Sequence, residues 1–192
     1  DMKEIDPAAF TNLVPLVTSH ARDEDAMNAI CKVLSAAAKT KQAASVLANM
    51  ENIGDIVAAM QYNLADDDFI LHSTEILTQL SEFNQFKVAL SNVEYITVLN
   101  QTCVQHMANE ALVVRCLGTL GNLAWNHPEN AMACINVGVP ETLRLSLTTH
   151  LRSQTAANAA IFLLEHMLEG INDEEEEEEV VDAQKLEICR AV

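Results

Sequence analysis

A helical pattern that returns every 43 to 45 residues limits this chain more than any other feature of it. The pattern is plainest from Asn109 to Pro140, NEALVVRCLGTLGNLAWNHPENAMACINVGVP. That stretch reads as one long amphipathic helix, a break at Asn126-His127-Pro128, a short helix, and a glycine before the next helix. Ala111, Val114, Cys116, Leu117, Leu120 and Leu123 recur at the three- and four-residue steps that line one helical face. Proline cannot continue the helix and pushes the residue before it out of the helical region. A unit of this kind cannot bury its apolar face alone, so copies of it have to stack.

The same grammar runs along the chain. Asp6-Pro7 predicts an N-cap and first helical residue, with Phe10, Leu13, Leu16 and Val17 inward; Pro15 should kink that helix or move its start later. The acidic residues from Asp23 to Asp25 suit a helix N-terminus and predict a helix to Lys39, with Ala26, Ile30, Val33, Leu34 and Ala37 inward. Next come a short helix in KQAASVLANM, a middle helix in DIVAAMQYN, and a long one opened by Asp66, Asp67 and Asp68 that carries Ile70, Leu71, Ile76, Leu77 and Leu80. FNQFKVALSN and VEYITVLNQTCVQHM repeat the short and middle helices before the long helix at Asn109. PENAMACINVG, PETLRLSLTTHL and SQTAANAAIFLLEHMLEG make a fourth set. Leu34, Leu77, Leu120 and Leu163 or Leu164 hold corresponding places. The units divide residues 1–170 at roughly 7–39, 40–82, 83–126 and 127–170.

Composition agrees. With 5 Gly, 4 Pro and 49% hydrophobic residues, the chain favours helix throughout, and an all-α fold is expected. No run approaches the roughly 18 apolar residues of a membrane span, and DMKEIDPAAF lacks the parts of a signal peptide, so a soluble cytoplasmic or nuclear protein is expected. The start at Asp1 reads as a segment cut from a longer protein. The net charge is −17, of which Asp173–Glu179 supply seven negative charges; the remaining −10 disfavours nucleic acid and favours basic protein faces. Cys31, Cys103, Cys116, Cys134 and Cys189 are odd in number and lack CxxC spacing, which predicts reduced, buried thiols on apolar helical faces.

GTLGNLAWNHPENAMACINVGVPETLRLSL resembles the armadillo repeat family. In that pattern a long third helix ends in Leu-x-Asn-Leu, an Asn-Pro-Glu-Asn-like turn follows, and a short helix leads through Gly and Pro into the next unit. The resemblance covers roughly Pro7 to Gly170 and implies an armadillo-type right-handed α-solenoid of about four three-helix units. It also implies a scaffold or adaptor without chemistry of its own, binding an extended peptide or a helix of a protein partner in a concave groove lined by the third helices.

The family often places an Asn near the end of each third helix to hydrogen-bond the backbone of a bound peptide. By position that place falls to Asn122 and Gln79, with Ala36 and His166 in the outer units. One and two turns earlier lie Gly118 and Arg115, Glu75 and His72, Phe162, and Lys32. The resemblance therefore assigns partner binding to His72, Glu75, Gln79, Arg115, Asn122 and His166, with no cofactor and no metal. Nuclear-import receptors of the family carry Trp where this chain has Lys32, Glu75, Gly118 and Phe162, which argues against that role. Trp125, the one tryptophan, is expected to pack between adjacent units, with a partner anchor as the alternative, and Gly118 and Gly121 are expected to admit a neighbouring helix, with an open patch for a ligand backbone as the alternative.

Other chemistry is thin. Cys103 and His106 share a helical face and could give two metal ligands, or a thiol and a base, which keeps a metal-dependent enzyme as an alternative. There is no phosphate-binding Gly-rich loop, no HExxH and no GxSxG, so no enzyme is expected. The sequon Asn100-Gln101-Thr102 falls mid-helix and reads as chance. The Glu174–Glu179 run predicts a solvated, mobile linker over 171–179, although the acidic surface also suits a transport or chaperone factor for basic cargo. The closing stretch 180–192, VVDAQKLEICRAV, predicts a short amphipathic helix that caps the last helix pair or begins a further unit. An uncapped end would expose apolar surface and favour a homodimer.

Overall fold

The computed structural model describes residues 12–20, 23–39, 44–45, 53–83, 87, 90–172, 186 and 189. The helix predicted to open at Asp6-Pro7, most of the two short helices in 41–50 and 83–92, the acidic run and most of 180–192 lie outside the described residues. All regular structure among the described residues is α-helical. The chain divides into two compact units, Asp1–Leu90 and Ser91–Val192.

The first unit holds α1 (Val14–Ser19), α2 (Glu24–Ala38), α3 (Ile53–Tyr62) and α4 (Asp67–Ser81). Pro15 sits in the first turn of α1, where its missing N–H is no loss. The long helix α2 packs on the long helix α4, and α1 packs on α3. Met27, Cys31 and Leu34 of α2 and Phe69, Ile70 and Leu77 of α4 are fully buried. Several inward assignments need correction here: Leu16 is exposed, Val33 is 43% exposed, since it lies about 100° around the helix from Leu34 and past the contact stripe, and Ala26 and Leu71 are half-buried.

The second unit holds α5 (Val93–Gln105), α6 (Glu110–Ala124), α7 (Pro128–Asn136), α8 (Val139–Thr149) and α9 (Gln154–Asn172). Here too long packs on long and middle on middle: α6 on α9 and α5 on α8, with α7 touching all four. The buried stripe of α6 is set one residue away from the expected one at its start. Leu112 and Val113 are fully buried with Cys116, Leu117, Leu120 and Leu123, whereas Ala111 is exposed and Val114 half-buried. Pro128 fits the first turn of α7, and Gly138 supplies the left-handed φ of +86° that starts α8.

One turn occurs four times. The helices α2, α4 and α6 are each 15 residues long, and their N-caps Asp23, Asp66 and Asn109 stand 43 residues apart; Ser153 repeats the place 44 residues on, before α9. Each cap accepts a hydrogen bond from the N–H three residues later: Ala26 (3.1 Å), Phe69 (3.0 Å), Leu112 (3.4 Å) and Ala156 (3.0 Å). Each cap's own N–H donates to the carbonyl three residues earlier, on His20, Asn63, His106 and His150, at 2.7 to 3.0 Å. Both strings of bonds use donors and acceptors that a helix end leaves over, which is why the turn holds its shape.

Ties of long sequence separation lock each unit. In the first, Asn28 Nδ2 donates to Asp66 Oδ2 at 3.1 Å. In the second, His150 Nε2–H donates to the Met107 carbonyl at 2.7 Å, and Ser153 Oγ donates to Glu110 Oε1 at 2.5 Å, each spanning 43 residues. Asn130 Nδ2 reaches both Ser91 Oγ and the Leu123 carbonyl. The Asn100 amide is buried and donates to the Val137 carbonyl at 3.0 Å, so the sequon nitrogen is part of the α5–α7 packing. Cys31, Cys103, Cys116 and Cys134 are free and buried; Cys189, expected on an apolar face with them, is exposed. No described helix is long and apolar enough to cross a membrane.

Candidate partner-binding surface

Counting from the four caps places the candidate residues in a common frame. Gln79, Asn122 and His166 each stand 13 residues after their cap, at the same position as Ala36. Gly118 and Arg115 lie one and two turns before Asn122, as Glu75 and His72 do before Gln79, so each trio falls on one face of its helix.

In the first unit that face belongs to α4. His72, Glu75 and Gln79 are all half-buried. Glu75 Oε1 forms an ion pair with Lys39 Nζ at 3.1 Å, and its side chain keeps only 22% exposure. Glu75 thus clips the end of α2 to α4, a role that only the packed helices reveal. His72 buries Nδ1 without a hydrogen-bond partner, so that nitrogen faces the helix packing and not solvent.

In the second unit the structure brings Arg115 and Asn122 on α6 and His166 on α9 onto one pair of packed helices. His166 is the centre of a small cluster. Trp125, the residue that ends α6, stacks on its imidazole with centroids 5.7 Å apart and planes 25° from parallel. Phe162 meets the same ring edge-on at 4.5 Å, and His166 Nδ1 lies 2.9 Å from Glu169 Oε2. Trp125 therefore does pack on the next long helix, as expected, while leaving 43% of its surface open. A half-covered indole with a fixed ring plane is the kind of group that anchors a partner.

The two glycines of α6 differ. A Cβ on Gly121 would come within 2.5 Å of Phe162 Cδ1, so glycine there is what admits the aromatic ring. Around Gly118 a Cβ would meet nothing within 4 Å. Close approach of a helix does not explain Gly118; it leaves a bare patch of helix between Arg115 and Asn122.

Cys103 on α5 and His106 at its C-cap are both buried. The Cys116 thiol on α6 hydrogen-bonds Cys103, and that bond together with burial holds the Cys116 pKa well above its ordinary 9.0. Burial alone pushes Cys31 and Cys134 up to about 12. Thiols held in the protonated form are poor nucleophiles and poor ligands. Among the described residues no group of three or more His, Cys, Asp or Glu is arranged to hold a metal ion. A shallow open hollow of about 440 Å³ lies at the α8–α9 turn, lined by Glu110, Thr149, His150, Leu151, Arg152 and Ser153. Its residues include two of the bonds that hold the turn. No protein-family model matches this chain, and no curated protein matches it.

Proposed function

We propose that the chain is an armadillo-type α-solenoid and that it works as a non-catalytic scaffold, holding a peptide or helix of a protein partner on its long helices. The fourfold turn carries the reading. Caps at 43, 43 and 44 residues launch long helices in matching register, three of which carry a half-buried face at the places of His72, Glu75 and Gln79, and long helices pack on long helices within each unit. In the second unit the binding surface we assign is that of Arg115, Gly118, Asn122, Trp125 and His166; in the first it is that of His72, Glu75 and Gln79. A bare stretch of helix at Gly118, flanked by a guanidinium and an amide and closed by an exposed indole, suits an extended backbone with one large side chain. The buried, protonated thiols suit a reducing compartment such as the cytosol or nucleus.

One observation favours a basic partner. Helix α9 displays Glu165 and Glu169 and carries no Lys or Arg, beside an overall charge of −17. Transport or chaperoning of basic cargo is the second reading, and steep weakening of binding with salt would mark it.

The experiment is affinity capture from a native extract with the wild-type chain beside an Arg115→Glu, Asn122→Ala variant of unchanged circular dichroism and melting. A protein held by the first and lost by the second supports the assigned surface. Equal capture by both removes it.

A further inference from the structure

We infer that the partner residue seated on Trp125 is an arginine, its guanidinium lying on the indole and reaching the carboxylates of Glu165 and Glu169. The inference rests on the reading of this surface as a partner site, and it names the chemistry at one end of it. The His166 imidazole stacks on the indole with centroids 5.7 Å apart, and Phe162 meets that imidazole edge-on at 4.5 Å. His166 Nδ1 lies 2.9 Å from Glu169 Oε2. The His166 side chain keeps only 11% exposure and acts as backing, whereas Trp125 keeps 43% and the Glu169 side chain 56%. The fold thus fixes the plane of the indole and leaves open an aromatic surface with a carboxylate nearby.

Charge selects the occupant. Phe162, Glu165, His166 and Glu169 fall within about 100° of the circumference of α9, and both glutamates are exposed. No Lys or Arg of α9 neutralises them. An indole face attracts a cation through its ring quadrupole, and a neighbouring carboxylate adds a charge-assisted hydrogen bond. Arginine meets both demands better than lysine, because a flat guanidinium stacks on an aromatic ring while its N–H fork pairs with a carboxylate. An acidic residue would meet like charge there, and an apolar one would desolvate a carboxylate without pairing it. Arg115 of α6 stands ten residues before Trp125, about 15 Å along the helix, and salt at physiological strength screens it from a second cation at this end.

The test uses the full chain, isotope-labelled for magnetic resonance, whose single tryptophan gives one indole N–H signal. The probes are blocked pentapeptides Ala-Ala-X-Ala-Ala with arginine, lysine or citrulline at X, citrulline being the uncharged isostere of arginine. The arginine peptide should move the indole signal with saturation in the millimolar range, the citrulline peptide should bind at least about threefold more weakly, and lysine should fall between them. Glu165→Gln with Glu169→Gln should weaken arginine binding by about threefold to tenfold and leave citrulline unchanged. Trp125→Leu should abolish the shifts that the arginine peptide causes in the amides of His166 and Glu169. Should Trp125→Leu disturb α6, the glutamine variant decides alone, because glutamine keeps an acceptor for His166 Nδ1. Equal binding of arginine and citrulline overturns the inference. So does tighter binding of lysine than of arginine, and so does arginine binding that survives the glutamine variant or moves only signals remote from Trp125. The wider surface fails separately: capture that ignores the Arg115→Glu, Asn122→Ala variant removes that surface even where the arginine response stands, while loss of capture without an arginine response overturns the arginine assignment alone.

Discussion

The Trp125 indole and the His166 imidazole, 41 residues apart in sequence, lie face to face with centroids 5.7 Å apart, joining the end of α6 to the body of α9. Since Trp125 is the single tryptophan, its emission reports this contact and nothing else in the chain. His166→Ala should shift the emission to the red and cost about 0.5–1.5 kcal/mol, the usual worth of an aromatic pair. Urea unfolding followed by fluorescence measures both; an unshifted spectrum would mean the stack does not form in solution.

The glycines of α6 should respond to alanine with opposite signs. Gly118→Ala meets open space and should stabilise by about 0.5–1 kcal/mol through helix propensity. Gly121→Ala drives a methyl into the Phe162 ring and should destabilise by about 1–3 kcal/mol. In a Phe162→Ala background the obstacle is gone, and Gly121→Ala should turn stabilising. Thermal melts of the four variants close this cycle.

Asp66 carries two duties at once. One carboxylate oxygen caps α4 through the N–H groups of Asp68 and Phe69, and the other receives Asn28 Nδ2 from α2. Asp66→Ala should therefore cost at the upper end of the N-cap range, about 2 kcal/mol, while Asp66→Asn keeps an acceptor for the cap and should cost less. Equal losses in the two variants would show that the cap contributes little.

Alkaline pH should weaken the fold through its thiols. The unfolded chain releases the Cys31 and Cys134 protons near 9, whereas the folded protein holds them until about 12. Between those values the native state binds more protons, so stability falls as pH rises, by about 1.4 kcal/mol per pH unit for each such thiol. Below pH 9 this contribution is fully present. Urea midpoints taken at about pH 8 and about pH 10 should separate, and Cys134→Ala should reduce the separation.

The same burial sorts the cysteines by reactivity. Under native conditions Cys189 should react at once with an aromatic disulfide reagent, and the remaining four only as the protein unfolds. Rapid modification of more than one thiol would contradict their burial.

Much of the helical framework could be read from local chemistry. Caps at Asp23, Asp66 and Asn109, Pro128 in a first turn and Gly138 before α8 act within four residues, and periodicity does the rest. What escaped reading depends on partners in space. Val33 and Ala111 fit an apolar period, yet the neighbouring helix approaches from an angle that leaves them outside. Glu75 looked like a free groove residue until Lys39 met it from α2. Gly118 and Gly121 are alike as letters, and only the position of Phe162 separates them. The Trp125–His166 stack joins residues whose pairing no local rule announces.

The four caps are Asp, Asp, Asn and Ser, and the backbone around them is the same. What the turn demands at that place is an acceptor oxygen a short reach from the backbone, with or without charge. Substitution can then wander among four residue types while the architecture stands still, and descent recorded in letters fades faster than descent recorded in bonds. Kin of this chain are better sought by a side-chain acceptor returning on a beat of 43 than by identity at any one position.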